Sequence, residues 1–181
     1  MKKIVVFASG GGSSVENLYL YFSKKPNVEV LKLYCNNPEA GVLKRNTINS
    51  LEKLLFNNDE LNSDKILSDL ENLSPDLIVL AGFLKKIPEK IVNLFRNKII
   101  NIHPSLLPKY KGLDTFNRVL KAKEKITGCT VHYVTDKLDS GKIILKKKIN
   151  ILPGEDSTKL KIKVQNQEYK AYSEAIYSIY R

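Results

Sequence analysis

Short apolar runs broken by turn residues recur along the first hundred positions. Residues 3–8 carry an uninterrupted apolar stretch (Ile4-Val5-Val6-Phe7-Ala8) after Lys3, ending in Ser9 and three glycines. A run this short, closed by a glycine turn, predicts a fully buried strand. The same reasoning predicts strands at 28–34, 53–56, 76–80 and 99–102. Residues 14–24 mix Val15, Leu18, Leu20 and Phe22 with polar positions and predict a helix. Residues 61–73 carry Leu61, Ile66, Leu67, Leu70 and Leu73 at helical spacing and stop at Ser74-Pro75. A further helix is expected over 39–51.

Beyond residue 103 the pattern changes. Residues 129–134 alternate and predict a strand, 143–151 predict a longer one, and 156–180 read as one helix with Leu160, Val164, Ala171, Ala175 and Ile179 inward. Strand–helix alternation in the first part implies a parallel sheet covered by helices on both faces. The later strands make the sheet mixed. The expected fold is therefore α/β and Rossmann-like, in three layers, with a mostly parallel sheet. With no linker, repeat or low-complexity tract, residues 1–181 are expected to form one domain.

Composition narrows the class. The 181 residues are 43% hydrophobic and 27% charged, ordinary for a globular protein. No apolar stretch reaches the length that spans a bilayer, so no membrane association is expected. The basic start followed by apolar residues superficially resembles a signal peptide, but its apolar run is too short for one. Cys35 and Cys129 are far apart and match no zinc-ligand spacing, so two buried thiols, a reducing cytoplasmic setting and no metal are expected. The net charge of +11 comes mainly from scattered lysines, expected to be solvated or to favour small anionic substrates.

Two segments carry candidate chemistry. In Ser9-Gly10-Gly11-Gly12-Ser13-Ser14 a strand runs into a helix through glycines. Exposed N–H groups and the helix dipole at such a turn favour an anion. The P-loop pattern is missing, Val15 stands where a dinucleotide fingerprint needs its third glycine, and Tyr34-Cys35-Asn36 offers no acidic residue for a ribose. A phosphomonoester remains, beside the plainer reading of a tight turn with a serine cap.

The second segment is Asn101-Ile102-His103-Pro104-Ser105. Asn101 and His103, two apart on a strand, point to one side at a carboxyl end, where open α/β sheets place ligands. An amide donor beside a protonated imidazole suits a developing oxyanion. A carboxylate is needed to orient that imidazole and keep it protonated, and Asp136 and Asp139 are available. A buried structural histidine is the competing reading. For His132 a structural role is expected.

The combination is more telling than its parts. Ser9-Gly10-Gly11-Gly12-Ser13, Leu80-Ala81-Gly82-Phe83, Asn101 through Lys109, Gly128-Cys129-Thr130-Val131-His132, Leu138-Asp139-Ser140-Gly141 and Val164-Gln165-Asn166-Gln167-Glu168 follow in this order. Across nearly the whole chain this resembles the folate-dependent formyltransferase superfamily and its phosphoribosylglycinamide formyltransferase branch. Lacking the extra domains of methionyl-tRNA formyltransferases and formyltetrahydrofolate hydrolases, a chain of this length is expected in the glycinamide branch.

The resemblance implies the formyltransferase fold and transfer of the formyl group of 10-formyltetrahydrofolate, a co-substrate, to the amine of phosphoribosylglycinamide in purine biosynthesis. It implies catalytic roles for Asn101, His103 and Asp139. It implies phosphate contacts at Gly12, Ser13 and Ser14 and ribonucleotide contacts at Gln165 and Glu168. It also implies folate contacts at Leu84, Lys85, Lys86, Ile87, Asn101, Thr135, Asp136 and Leu138. A monomer or weak homodimer acting on small molecules, without nucleic acid, is expected. The sequence departs from the family at Ser14, Lys85, Leu113-Asp114, Lys142 and Tyr169. A different amine acceptor, such as a sugar nucleotide, is the first alternative. A basic nucleic-acid-binding module, hinted at by Tyr110-Lys111 and Lys146-Lys147-Lys148, is the second.

Overall fold

The computed structural model describes residues 1–180. Strands β1 (Lys2–Ala8), β2 (Val28–Cys35), β3 (Glu52–Leu55), β4 (Leu77–Leu80), β5 (Ile99–His103), β6 (Ile126–Tyr133) and β7 (Ile143–Asn150) form a seven-stranded sheet in the order β3-β2-β1-β4-β5-β6-β7. β1 pairs in parallel with β2 and β4, and β2 with β3, whereas β6 and β7 are antiparallel. The helices are α1 (Ser13–Phe22), α2 (Asn58–Asn62), α3 (Asp64–Leu73), α4 (Glu89–Leu94), α5 (Thr115–Lys121) and α6 (Ser157–Ile179).

The chain divides into two compact units, Met1–Ile100 and Asn101–Arg181. In the first, the apolar runs are buried on both sides: Ile4, Val5, Val6, Phe7 and Ala8 are fully enclosed, as are Leu77, Ile78 and Val79 to within 1%. Continuous burial of this kind is what a central parallel strand requires. The Phe7 ring stacks on Tyr34 at 4.5 Å and meets Phe83 edge-on at 5.3 Å. Lys32, 7% exposed, is neutralised by Asp69 at 3.0 Å and Glu52 at 2.8 Å.

In the second unit α6 packs on β6 and β7 and buries Leu160, Val164, Ala171, Ala175 and Ile176. Asp156 starts this helix, its side chain accepting the Lys159 N–H; such a cap contributes about 1 kcal/mol.

Two expectations are corrected, and two short helices are added. Residues 39–51 form no α-helix but two 3-10 turns, Gly41–Lys44 and Asn46–Ile48. The reason is tertiary: the Val42 N–H donates to the Gly10 carbonyl at 3.0 Å and Arg45 Nε to the Gly11 carbonyl at 2.5 Å. This segment braces the glycine turn instead of closing its own ladder. The predicted helix at 61–73 is two, broken at Ser63, whose backbone is extended and whose side chain caps α3. Helices α4 and α5, six and seven residues long, were not foreseen; runs this short carry little periodic signal.

Candidate active site

In the second unit, β5 ends on Asn101 and His103, and β6 brings His132 alongside. The loop after β6 returns Asp139 inward: residues Thr135 to Leu138 are exposed, but Asp139 is only 7% exposed. Asp139 adopts a left-handed backbone, φ 47°. Two residues later a side chain at Gly141 would place its Cβ 1.8 Å from the Tyr133 carbonyl oxygen, so only glycine lets this loop close.

The Asp139 carboxylate is the hub. Its Oδ2 lies 3.3 Å from His103 Nδ1 and accepts the Gly112 N–H at 2.9 Å, while Oδ1 lies 3.6 Å from His132 Nε2. Burial alone would push this carboxyl up. The His132 hydrogen bond, the Gly112 N–H and the two imidazoles outweigh it and hold Asp139 below the usual carboxylate range. Asn101 Nδ2 sits 3.4 Å from His132 Nε2.

His103 is 5% exposed. Its Nε2 lies 2.7 Å from the Tyr110 carbonyl oxygen. Both ring nitrogens therefore face oxygen atoms, Asp139 Oδ2 and the Tyr110 carbonyl. His132 Nδ1 donates to the Tyr133 carbonyl at 2.9 Å, which turns Nε2 towards Asp139 and Asn101. His132 thus lies beside the cluster, held by its own backbone bond and facing the second oxygen of Asp139. Its spacing from Asn101 and His103 gave no hint, because strand pairing alone brings β6 here. Of the two candidate carboxylates, Asp139 faces the imidazoles and Asp136 is exposed.

Gln165 and Glu168 lie one turn apart on α6. Burial pushes the Glu168 carboxyl up to about 7, and only the Lys161 charge pulls it back. Its charge is felt at the buried Cys129 thiol and at Tyr172.

In the first unit the glycine turn joins β1 to α1. Gly12 takes φ 75° at the head of α1, with no side-chain cap, so neither Ser13 nor Ser14 is the N-cap. A Cβ at Gly12 would meet Val42 at 2.3 Å. Ser9 ties this turn to the predicted folate stretch: its N–H donates to the Gly82 carbonyl at 3.1 Å, and its Oγ accepts the Leu84 N–H at 2.9 Å. Leu84 is 76% exposed, Lys85 and Lys86 are exposed, and Ile87 is buried at 3%. Arg45 and Thr47 both bond Glu16 on α1. A cavity of about 660 Å³ in this unit, lined by Tyr19, Phe22, Lys24, Lys25 and Leu51 among others, contains none of the predicted site residues.

Residues 2–176 match the family model described as formyl transferase. The chain belongs to the formyl transferase family. Among curated relatives of this formyl transferase, the phosphoribosylglycinamide formyltransferase of Haemophilus influenzae is 36% identical over 187 residues, covering 95% of this chain and 84% of the relative. The enzyme of the same name from Bacillus subtilis is 32% identical, covering 97% and 93%. The crystal structure of phosphoribosylglycinamide formyltransferase from Anaplasma phagocytophilum superposes with a TM-score of 0.90 at 35% identity, over 97% of this chain and 85% of that one. The mixed, mostly parallel sheet is thus the formyltransferase fold.

Among the described residues no group of three or more His, Cys, Asp or Glu is placed to hold a metal. No helix among them is long and apolar enough to cross a membrane.

Proposed function

We propose that this formyl transferase moves the formyl group of 10-formyltetrahydrofolate onto the amine of phosphoribosylglycinamide, and that Asn101, His103 and Asp139 carry the reaction. The observation that supports this best is the Asp139 carboxylate set between two imidazoles, with Asn101 beside them.

The substrate amine attacks the formyl carbon, and the formyl oxygen becomes an oxyanion. Asn101 donates an amide N–H to it, and the imidazolium of His103 supplies positive charge in a largely water-free setting. Asp139 orients His103 through Nδ1 and balances the charge on the ring. A direct bond from His103 Nε2 to the oxyanion requires the oxyanion to replace the Tyr110 carbonyl as acceptor. The tetrahedral intermediate collapses as the C–N10 bond breaks, and the proton lost by the attacking nitrogen ends on N10. His132 steadies Asp139 from its other oxygen.

Gly12, Ser13 and Ser14 hold the ribonucleotide phosphate at the head of α1, where the dipole favours an anion. Gln165 and Glu168 contact the ribonucleotide. Leu84, Lys85, Lys86, Ile87, Thr135, Asp136 and Leu138, with Asn101, contact the folate. The chain works as one formyltransferase domain, consistent with a family match that runs through both units. We place it in the cytoplasm as a monomer or weak homodimer; its two cysteines are buried and unpaired, as a reducing compartment allows. Following folate absorbance during turnover tests this reading. His103→Ala is expected to lower kcat by at least about a hundredfold. A turnover number near that of the parent chain, or no transfer to phosphoribosylglycinamide by the parent at saturating substrates, overturns it.

A further inference from the structure

His103 is followed by a segment pinned by two buried hydroxyls that the reaction does not use. Thr130 and Ser105 are both fully buried. The Thr130 Oγ1 donates to the Ser105 carbonyl at 2.6 Å and accepts the Leu107 N–H at 3.1 Å. The Ser105 Oγ donates to the Lys109 carbonyl at 2.6 Å. From the edge strand, Lys146, paired with Thr130 across β6 and β7, donates to the Leu107 carbonyl at 2.5 Å. The next carbonyl after Lys109 is that of Tyr110, which takes His103 Nε2 at 2.7 Å.

Two alternate residues, His103 and Ser105, thus grip two consecutive carbonyls, Tyr110 and Lys109, while Thr130 fixes the start of the segment. Tyr110 is held in the left-handed region, φ 57°. For a residue with a Cβ that conformation costs about 1–2 kcal/mol and persists only where the surroundings over-determine it. Here the surroundings are the Ser105 bond on one side, and the Tyr110 ring's own hydroxyl bond to Glu124 at 2.8 Å on the other. Buried hydroxyls with both partners in place hold geometry firmly, because a lost partner leaves a buried carbonyl or N–H unpaired.

We propose that Ser105 and Thr130 are positioning residues for His103, acting through the Lys109 and Tyr110 carbonyls to set the orientation of its imidazole. This rests on the reading of His103 as the charge that stabilises the oxyanion.

The chain has two histidines, so ¹⁵N-histidine NMR gives two imidazoles, assigned with His132→Gln, and it reads His103 without substrate. In Ser105→Ala and Thr130→Val the His103 Nε2 resonance is expected to move. The kcat is expected to fall at least about tenfold, with both KM values within about twofold, since small misplacement of a catalytic group is felt in the transition state. Thr130→Ser, which keeps both bonds, is expected to restore resonance and kcat. Unmoved His103 resonances overturn the proposal whatever happens to kcat, as does an unchanged kcat. Should neither variant fold, Ser105→Cys puts a much weaker donor at nearly the same volume against the Lys109 carbonyl, and unaltered His103 resonances in it overturn the proposal equally. Failure of the parent chain to transfer formyl groups would instead strike the underlying reading, while the resonances still report on the positioning.

Discussion

Asp139→Asn isolates the charge of the hub from its shape. The amide keeps the volume, and its oxygen can still accept the Gly112 N–H that Oδ2 now takes at 2.9 Å. What disappears is the negative charge 3.3 Å from His103 Nδ1 and 3.6 Å from His132 Nε2. At 3.3 Å and an effective dielectric constant of about 20, the pair with a protonated His103 is worth roughly 5 kcal/mol. Desolvating the carboxylate offsets part of this. About 3 kcal/mol remains, the size of loss found when one partner of a buried ion pair is removed. If the imidazolium is needed at the transition state, that is a fall in kcat of about a hundredfold. The assay is steady-state formyl transfer at saturating substrates, with thermal unfolding of parent and variant measured alongside. Asp139 is held below the ordinary carboxylate range, so its stabilising contribution is present above about pH 4 and is lost as pH falls through its lower folded value. The variant is expected to lack that acid-limb loss. A kcat within about threefold of the parent, with the same acid limb, would refute this account of the hub.

Three further outcomes follow from local geometry. Gly12→Ala meets both a left-handed backbone and Val42 at 2.3 Å; the KM for the phosphorylated substrate is expected to rise at least about tenfold, read from initial rates. Gly141→Ala drives a Cβ into the Tyr133 carbonyl, so the Asp139 loop is expected to shift, kcat to drop and the KM for the folate to rise, with little change in the KM for the phosphorylated substrate. Glu168 has its carboxyl pushed up to about 7. A raised value means stability fully present below the unfolded pKa of about 4.3 and lost as pH rises through about 7. Glu168→Gln is expected to flatten the decline of Tm between those limits, by about 3 °C for roughly 1 kcal/mol once partial exposure is allowed for.

The sequence by itself determined the elements whose burial is continuous or strongly periodic. Ile4 to Ala8 and Leu77 to Leu80 are apolar on both sides because central parallel strands leave no wet face, and that pattern is visible without neighbours. The inward stripe of α6 and the pairing of Asn101 with His103 on one strand face are equally local, being set by backbone period alone. The motif order from Ser9 to Glu168 was legible too, and it already pointed to a formyltransferase. The tertiary structure decided what depends on residues distant in the chain. Residues 39–51 became 3-10 turns because Val42 and Arg45 bond the glycine turn some thirty positions earlier. The family resemblance already singled out Asp139, but its burial against both imidazoles while Asp136 stays exposed depends on the loop turning inward where Gly141 passes close to Tyr133. His132 looked like an ordinary alternating strand residue until the sheet set β6 beside the end of β5, where its Nε2 meets the same carboxylate that holds His103.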